Sequence, residues 1–193
     1  IPIKQFLRDN NVILEKNFVI NKKKQLNEIY KKAKPEDIKN IQSFKILEKR
    51  KFIEYPKLGF IELDKITKKI DKHSGGILLI DYGYIDLIYE NTLQSVMNNK
   101  MIKFSDLIKH LGLSDITYLV NFALLNEYFK KKNLNVEKIV SQKFFLEKMG
   151  IWERAKILER KMTLKQKNYM YITLKRLLDV NQMGELFKVI FAF

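Results

Sequence analysis

The chain has 193 residues, enough for one domain with a real core, and its 46% hydrophobic and 31% charged residues are an ordinary globular mix. It has no cysteine, which excludes disulfides, thiolate metal sites and cysteine nucleophiles; two histidines, His73 and His110, argue against a metal cluster and leave at most two imidazole bases. Lys and Arg outnumber Asp and Glu by 37 to 22, a net charge of +15, but lysine is spread along the whole length and no glycine–aromatic RNA-binding signature interleaves with it, so the charge reads as solvated faces rather than a nucleic-acid surface.

Ile1-Pro2-Ile3 reads as the interior of a chain, and we expect a natural N-terminal part upstream of it. No secretory signal opens the sequence, and the longest apolar runs are strand-sized, so no membrane insertion is expected. Residues 1–10 form a short lead-in. Val12-Ile13-Leu14 and Phe18-Val19-Ile20 are strand-like, and Lys22-Lys23-Lys24 makes a polar turn before Leu26, Ile29 and Tyr30. Pro35-Glu36-Asp37 has the composition of a helix first turn. Phe44-Lys45-Ile46 and Phe52-Ile53-Glu54-Tyr55 alternate loosely and are expected to pair as a hairpin. Residues 11–62 are less regular than the C-terminal two thirds of the chain and read as an insertion.

A helix is expected over residues 64–72, with Asp64 as N-cap and Ile66 and Ile70 on one face. Ser74-Gly75-Gly76 then turns the chain into Ile77-Leu78-Leu79-Ile80, too short for a free-standing helix and read as a strand buried on both faces. Asp81-Tyr82-Gly83-Tyr84 comes next as a loop. In a doubly wound sheet ligands sit beyond the carboxyl ends of strands, which makes Asp81, Tyr82 and Gly83 candidates for a cleft edge. Each has a plainer reading: Asp81 as a turn residue, Tyr82 as an aromatic packed under the next loop.

Residues 91–97 are expected to be helical, with Thr92 either a helix N-cap or, with Gln94, polar lining of the cleft. Residues 106–111 make a second short helix closed by Gly112. Residues 116–120 are a strand candidate, and Asn121 caps a helix bearing Phe122, Leu125 and Phe129, with Lys130-Lys131-Lys132 in its last turn and Asn133 in a left-handed cap. Residues 136–140 are a second strand, 142–149 a helix ending at Gly150. Thr163 and Gln166 have capping-box spacing, opening a helix with Met170, Leu174, Leu177 and Leu178 on one face. Met183-Gly184 breaks it, and residues 186–193 form a final apolar strand. Trp152, Arg154 and Lys188 read as structural or solvated.

Taken in order, Ile80-Asp81-Tyr82-Gly83-Tyr84, Thr92-Leu93-Gln94, Asp115-Ile116-Thr117 with Val120 and Phe122, Gly150-Ile151 with Arg154, and Met183-Gly184 with Leu186-Phe187-Lys188-Val189 resemble the C-terminal half of the MidA-like S-adenosylmethionine-dependent methyltransferases. That family includes the mitochondrial complex I assembly methyltransferase. Glu62 falls where the family has a glutamate ending a short strand, and Pro2 resembles the proline closing its acidic loop. The resemblance implies an α/β chain, the C-terminal half of a class I (Rossmann-like) methyltransferase fold with a small strand-containing insertion: residues 1–193 one partial domain, 11–62 the insertion, 63–193 the fifth to seventh strands and their helices. Residues 77–80 would be the fifth strand, 186–193 an antiparallel seventh and 136–140 an edge sixth.

The activity implied is methyl transfer from S-adenosylmethionine to a protein side chain, arginine, linked to respiratory complex I assembly, in the bacterial cytoplasm or the mitochondrial matrix. The family's glycine-rich loop, ribose-binding acid and acidic loop would all precede Pro2. No cofactor-binding residue is therefore expected in this chain, no catalytic residue is assigned, and the chain alone is expected to be inactive. Asp81, Tyr82, Gly83, Thr92 and Gln94 remain as substrate-cleft candidates. The implied partners are a protein substrate, such as a complex I subunit, and the N-terminal half of the same fold. Leu119 and Asn121 depart from a His and an Asp of the family pattern, and Asn99 from a frequent His; Leu119 removes a proton carrier, whereas Asn121 can still cap a helix. A non-catalytic interaction module, or a split or remnant methyltransferase half, is the alternative, and a basic nucleic-acid binder a second; steep salt dependence would separate the latter.

Overall fold

Gln5, Leu7 and Asp9 alternate with Lys4, Phe6 and Arg8, and the lead-in is itself a strand, β1 (Lys4–Asp9). The structure is a computed structural model that describes residues 2–23, 25–86, 91–98, 100–102, 110 and 112–193. The chain divides into two units, one of Ile1–His73 and Leu87–Leu119, the other of Ser74–Asp86 and Val120–Phe193. The helix expected over 106–111 lies outside the described residues.

In the first unit β1 turns at Asn10 into β2 (Val12–Ile20), where both predicted strand fragments join in one, and β2 returns as β3 (Leu26–Lys32). Helix α1 (Pro35–Gln42) starts at the proline, as expected. The predicted hairpin does not form. Residues 45–47 are a 3-10 turn, and β4 (Phe52–Tyr55) pairs instead with β1, giving the antiparallel order β3-β2-β1-β4. The turn keeps Phe44 and Leu47 in the core, which a hairpin partner of β4 would not.

Helix α2 (Lys57–His73) begins seven residues before Asp64, so Asp64 is mid-helix rather than a cap. The Phe60 N–H donates to the Pro56 carbonyl at 2.9 Å, which closes the first turn there. Phe60, Leu63 and Thr67 form its buried stripe. Phe6, Ile41 and Ile53 are fully buried, and Phe60 stacks on Phe44 (5.5 Å) and meets Tyr55 edge-on (5.3 Å). A smaller antiparallel sheet, β7-β6-β8, is made of β6 (Gln94–Met97), β7 (Lys100–Ile102) and β8 (Asp115–Thr117).

The second unit opens at Ser74 (φ 57°) and Gly75 (φ 136°), whose left-handed backbone turns the chain into β5 (Ile77–Tyr84). The predicted strand 116–120 is split: β8 belongs to the first unit, while β9 (Val120–Asn121) pairs parallel with Gly83 and Tyr84 of β5. Asn121 accepts the Leu124 N–H at 3.0 Å and starts α3 (Phe122–Lys131); Phe122 and Phe129 are fully buried, and Asn133 takes the left-handed conformation (φ 60°). Residues 136–140 touch the sheet only at their ends, through a bridge from Val136 to Ala192 and through β10 (Val140–Ser141).

Three helices come next: α4 (Gln142–Lys148), α5 (Ile151–Glu159), entered through the left-handed Gly150, and α6 (Leu164–Leu178), opened by the Thr163–Gln166 capping box. A four-residue helix, α7 (Met183–Leu186), leads into the last strand, β11 (Phe187–Ala192). The sheet order is β10-β11-β5-β9, with β11 antiparallel to both β10 and β5. Leu78 and Ile80 are 46% and 42% exposed, so β5 is not buried on both faces; Leu78 lines an open cavity with Phe144, Phe145 and Phe191. No helix among the described residues is long and apolar enough to cross a membrane.

One ionic cluster sits inside the first unit. Asp37, fully buried, accepts from Lys4 Nζ at 2.7 Å and from Lys57 Nζ at 2.9 Å. Burial by itself would push its carboxyl up, but the hydrogen bonds and charges of the two lysines outweigh it and hold the group below its ordinary 3.8. Beside it the Tyr55 phenol is pushed up to about 12, by burial first and then by the Asp37 charge. Because the folded-state value is depressed, Asp37 contributes stability above the ordinary carboxylate range and loses it as pH falls through the folded value. We expect the unfolding free-energy gap between the wild-type chain and Asp37→Asn to be widest near neutral pH and to shrink below about pH 4, measured by urea unfolding across pH; a gap independent of pH would contradict the ion-pair assignment.

Candidate functional site

Asp81, Tyr82 and Gly83 are not in a loop: β5 runs on through them to Tyr84. The reason is β11, whose Phe187 and Lys188 stand opposite Tyr82 and Asp81 and extend the ladder past the apolar run. The Asp81 carboxylate accepts the N–H of the next residue, Tyr82, at 2.8 Å. The Tyr82 ring meets Phe187, its cross-strand neighbour on β11, edge-on at 5.6 Å; residues 87–90 of the loop expected over it lie outside the described residues. Gly83 is a close-approach position rather than a left-handed one. A Cβ there would lie 2.2 Å from the Val120 carbonyl oxygen and 2.8 Å from the Phe122 ring, so only glycine lets β9 and α3 come this near.

Thr92 and Gln94 lie in the first unit, and the helix expected over 91–97 is the strand β6. Asn91 supplies the physical reason. Its side-chain oxygen accepts the Leu93 N–H, two residues on, at 2.9 Å, an Asx turn in place of a helix cap. Thr92 is likewise no N-cap: its hydroxyl donates to Glu54 Oε2 at 2.5 Å and accepts the Leu119 N–H at 3.0 Å, while its own N–H donates to Glu54 Oε1 at 3.1 Å. Gln94 stands opposite Thr117 in the β6–β8 ladder.

The sequence reading missed Glu54 and Gln5. Glu54 is only 8% exposed, and its Oε1 also accepts from Gln5 Nε2 at 2.8 Å; that same nitrogen donates to Asn91 Oδ1 at 2.6 Å. The available signal was an acid inside the apolar run Phe52-Ile53-Glu54-Tyr55. Glu62 does not end a strand: it lies on the exposed face of α2 and pairs with Lys65 at 2.7 Å, whereas Glu54 is the next-to-last residue of the short strand β4. Leu119 carries no proton but gives its backbone N–H to Thr92, and Asn121 caps α3 as its side chain allows. Asn99 lies outside the described residues.

The described glycines do not build a nucleoside cradle. Gly75 and Gly76 lead into a strand instead of coming after one, Gly83 is walled in by Val120 and Phe122, and Gly150 joins two helices. Among the described residues, none of these four glycines forms the strand-to-helix turn that cradles a nucleoside cofactor.

Gly83→Val should destabilise by about 1–3 kcal/mol or more, because a Cβ would meet backbone that cannot give way, and by more than Tyr84→Phe, which adds no atom. Thr92→Val should cost about 1–3 kcal/mol by leaving the Leu119 N–H and one Glu54 oxygen without their partner, and Thr92→Ser should recover most of it. Thermal unfolding of the four variants checks both; equal small shifts at residues 83 and 84, or no rescue by serine, would contradict the geometry.

Residues 1–140 match the family described as "Putative S-adenosyl-L-methionine-dependent methyltransferase". The structure is similar to a crystal structure of an uncharacterized protein from Burkholderia thailandensis, with TM-score 0.77 at 17% identity, covering 99% of this chain and 51% of that one. A second superfamily member from the same organism, described as a "likely methyl transferase" and bound to S-adenosyl-homocysteine, aligns with TM-score 0.70 at 18% identity, covering 100% of this chain and 50% of that one. The chain therefore spans about half the length of the solved structures it matches, and at these identities the likeness is one of fold. The match over residues 1–140 carries the assignment: this chain belongs to the S-adenosyl-L-methionine-dependent methyltransferase family.

Proposed function

We propose that this chain is the C-terminal half of a class I, Rossmann-like methyltransferase of the MidA-like type. Together with an N-terminal half, it would transfer a methyl group from S-adenosylmethionine to a protein arginine, with a respiratory complex I subunit as substrate. The observation that carries the reading is the position of β11. It is the last strand, it runs antiparallel to β5, and it lies between β5 and β10. That is the place of the seventh strand between the fifth and sixth in such a sheet. The half-length coverage of the solved relatives supports a division of labour. In it, the other half holds the cofactor and this half completes the sheet and the substrate cleft.

β5 fits that division. Beyond the β9 pairing at Gly83 and Tyr84, its second edge has no strand partner among the described residues. An apolar strand with such an edge invites another chain. In this reading the neighbour is the fourth strand of the N-terminal half.

Calorimetry on residues 1–193 should show negligible S-adenosylmethionine binding, and adding the N-terminal half of a complete relative should give a one-to-one complex that binds it and methylates an arginine-bearing peptide. Micromolar binding by the chain alone would overturn the division of labour. A monodisperse, cooperatively unfolding monomer indifferent to such a half would favour an independent interaction module.

A further inference from the structure

We infer that Glu54 and Gln5 form a binding site for a cationic nitrogen donor, an ammonium or guanidinium group. The site lies in the first unit, on the face of its larger sheet opposite the aromatic core. Side chains alternate along β1, so Phe6 and Gln5 point to opposite faces. Phe6 and Ile53, directly opposed across β1 and β4, are both fully buried in the core. The next rung is polar: Glu54 on β4 faces Gln5 on β1, and Gln5 faces Lys16 on β2. All three are at least nine-tenths buried.

Two observations point to a missing donor. The Glu54 carboxylate is held by three neutral hydrogen bonds, two from Thr92 and one from Gln5. Among the described residues no ion pair reaches it. The cation on the same rung is turned elsewhere, since Lys16 Nζ is 2.6 Å from Glu28 Oε1. A buried carboxylate without a counter-charge is costly. Independently, Gln5 Oε1 is buried and has no hydrogen-bond partner, although the nitrogen of the same amide is bound to Glu54.

The Glu54 carboxylate lacks a counter-charge and the Gln5 carbonyl joined to it lacks a donor; a positively charged N–H group would supply both. A neutral donor would satisfy Gln5 but leave the charge. Asn91, exposed and 2.6 Å from Gln5 Nε2, marks where the cluster meets solvent. A guanidinium would present parallel N–H donors to such a pair, and an ammonium a point charge. The inference does not depend on the methyl-transfer reading, and it survives if that reading fails.

The test is a titration of residues 1–193 with methylguanidinium, methylammonium and neutral methylurea, monitored by backbone-amide NMR. Saturable shifts at the Thr92, Leu93 and Leu119 amides are expected with a cation and not with methylurea, and the stronger cation identifies the donor class. Glu54→Gln should weaken binding by about tenfold or more. Should that variant not fold, the comparison with methylurea on the wild-type chain decides. Equal shifts with methylurea, or no saturable shift with either cation, would overturn the site and leave Glu54 as an anchor for residues 91–93 only.

Discussion

The second unit depends on one pairing, the six-residue antiparallel ladder between β5 and β11. It joins a strand near the start of the unit to the last strand of the chain, so α3 to α7 must all fit within the excursion between them. Val189, Ile190 and Ala192 are buried as a result, and β10 can pair only on the far side of β11. At its other end β5 is held by β9, and there the limit is steric: Gly83 is bare because the Val120 carbonyl and the Phe122 ring occupy the space a side chain would need. The strand is apolar through residues 77–80, half exposed at Leu78 and Ile80, and among the described residues those four pair along one edge only.

The first unit solves a different problem. Its larger sheet has an aromatic face, packed by α1, α2 and the 3-10 turn, and a polar face that is nonetheless buried around Gln5, Lys16 and Glu54. On the aromatic side the single buried acid, Asp37, is compensated by two lysines. On the polar side Glu54 is compensated only by neutral donors. Of the two buried carboxylates described in this unit, Asp37 has its cations and Glu54 does not.

Local signals read from the sequence held where the backbone decides alone. Pro35 starts α1, Asn121 and Thr163 cap their helices, and Asn133 and Gly150 take left-handed turns, because each is settled by one side chain and its own backbone. Where long-range pairing decides, the same signals misled. Asn91 and Thr92 are helix-cap residues by type, yet β7 and β8 claim residues 94–97 as a strand, and Glu54 claims Thr92. β1 is hard to read from sequence because its alternation is weak and one of its two partners, β4, lies about fifty residues on. Glu62 fits a strand-end glutamate by residue type and rough spacing, but α2 begins at Lys57 and takes it into a helix, which only the fold reveals.

The central claim is that β5 is an interior strand whose second neighbour is supplied by another polypeptide half. Hydrogen exchange at the amides of residues 77–82 tests it most directly. Amides of one strand alternate between its two edges. In the chain alone, those directed at β11 should be protected and those directed at the other edge should exchange rapidly. Adding the N-terminal half of a complete relative should slow the second set to match the first. Uniform protection in the isolated chain, or no change on addition of that half, would contradict the account.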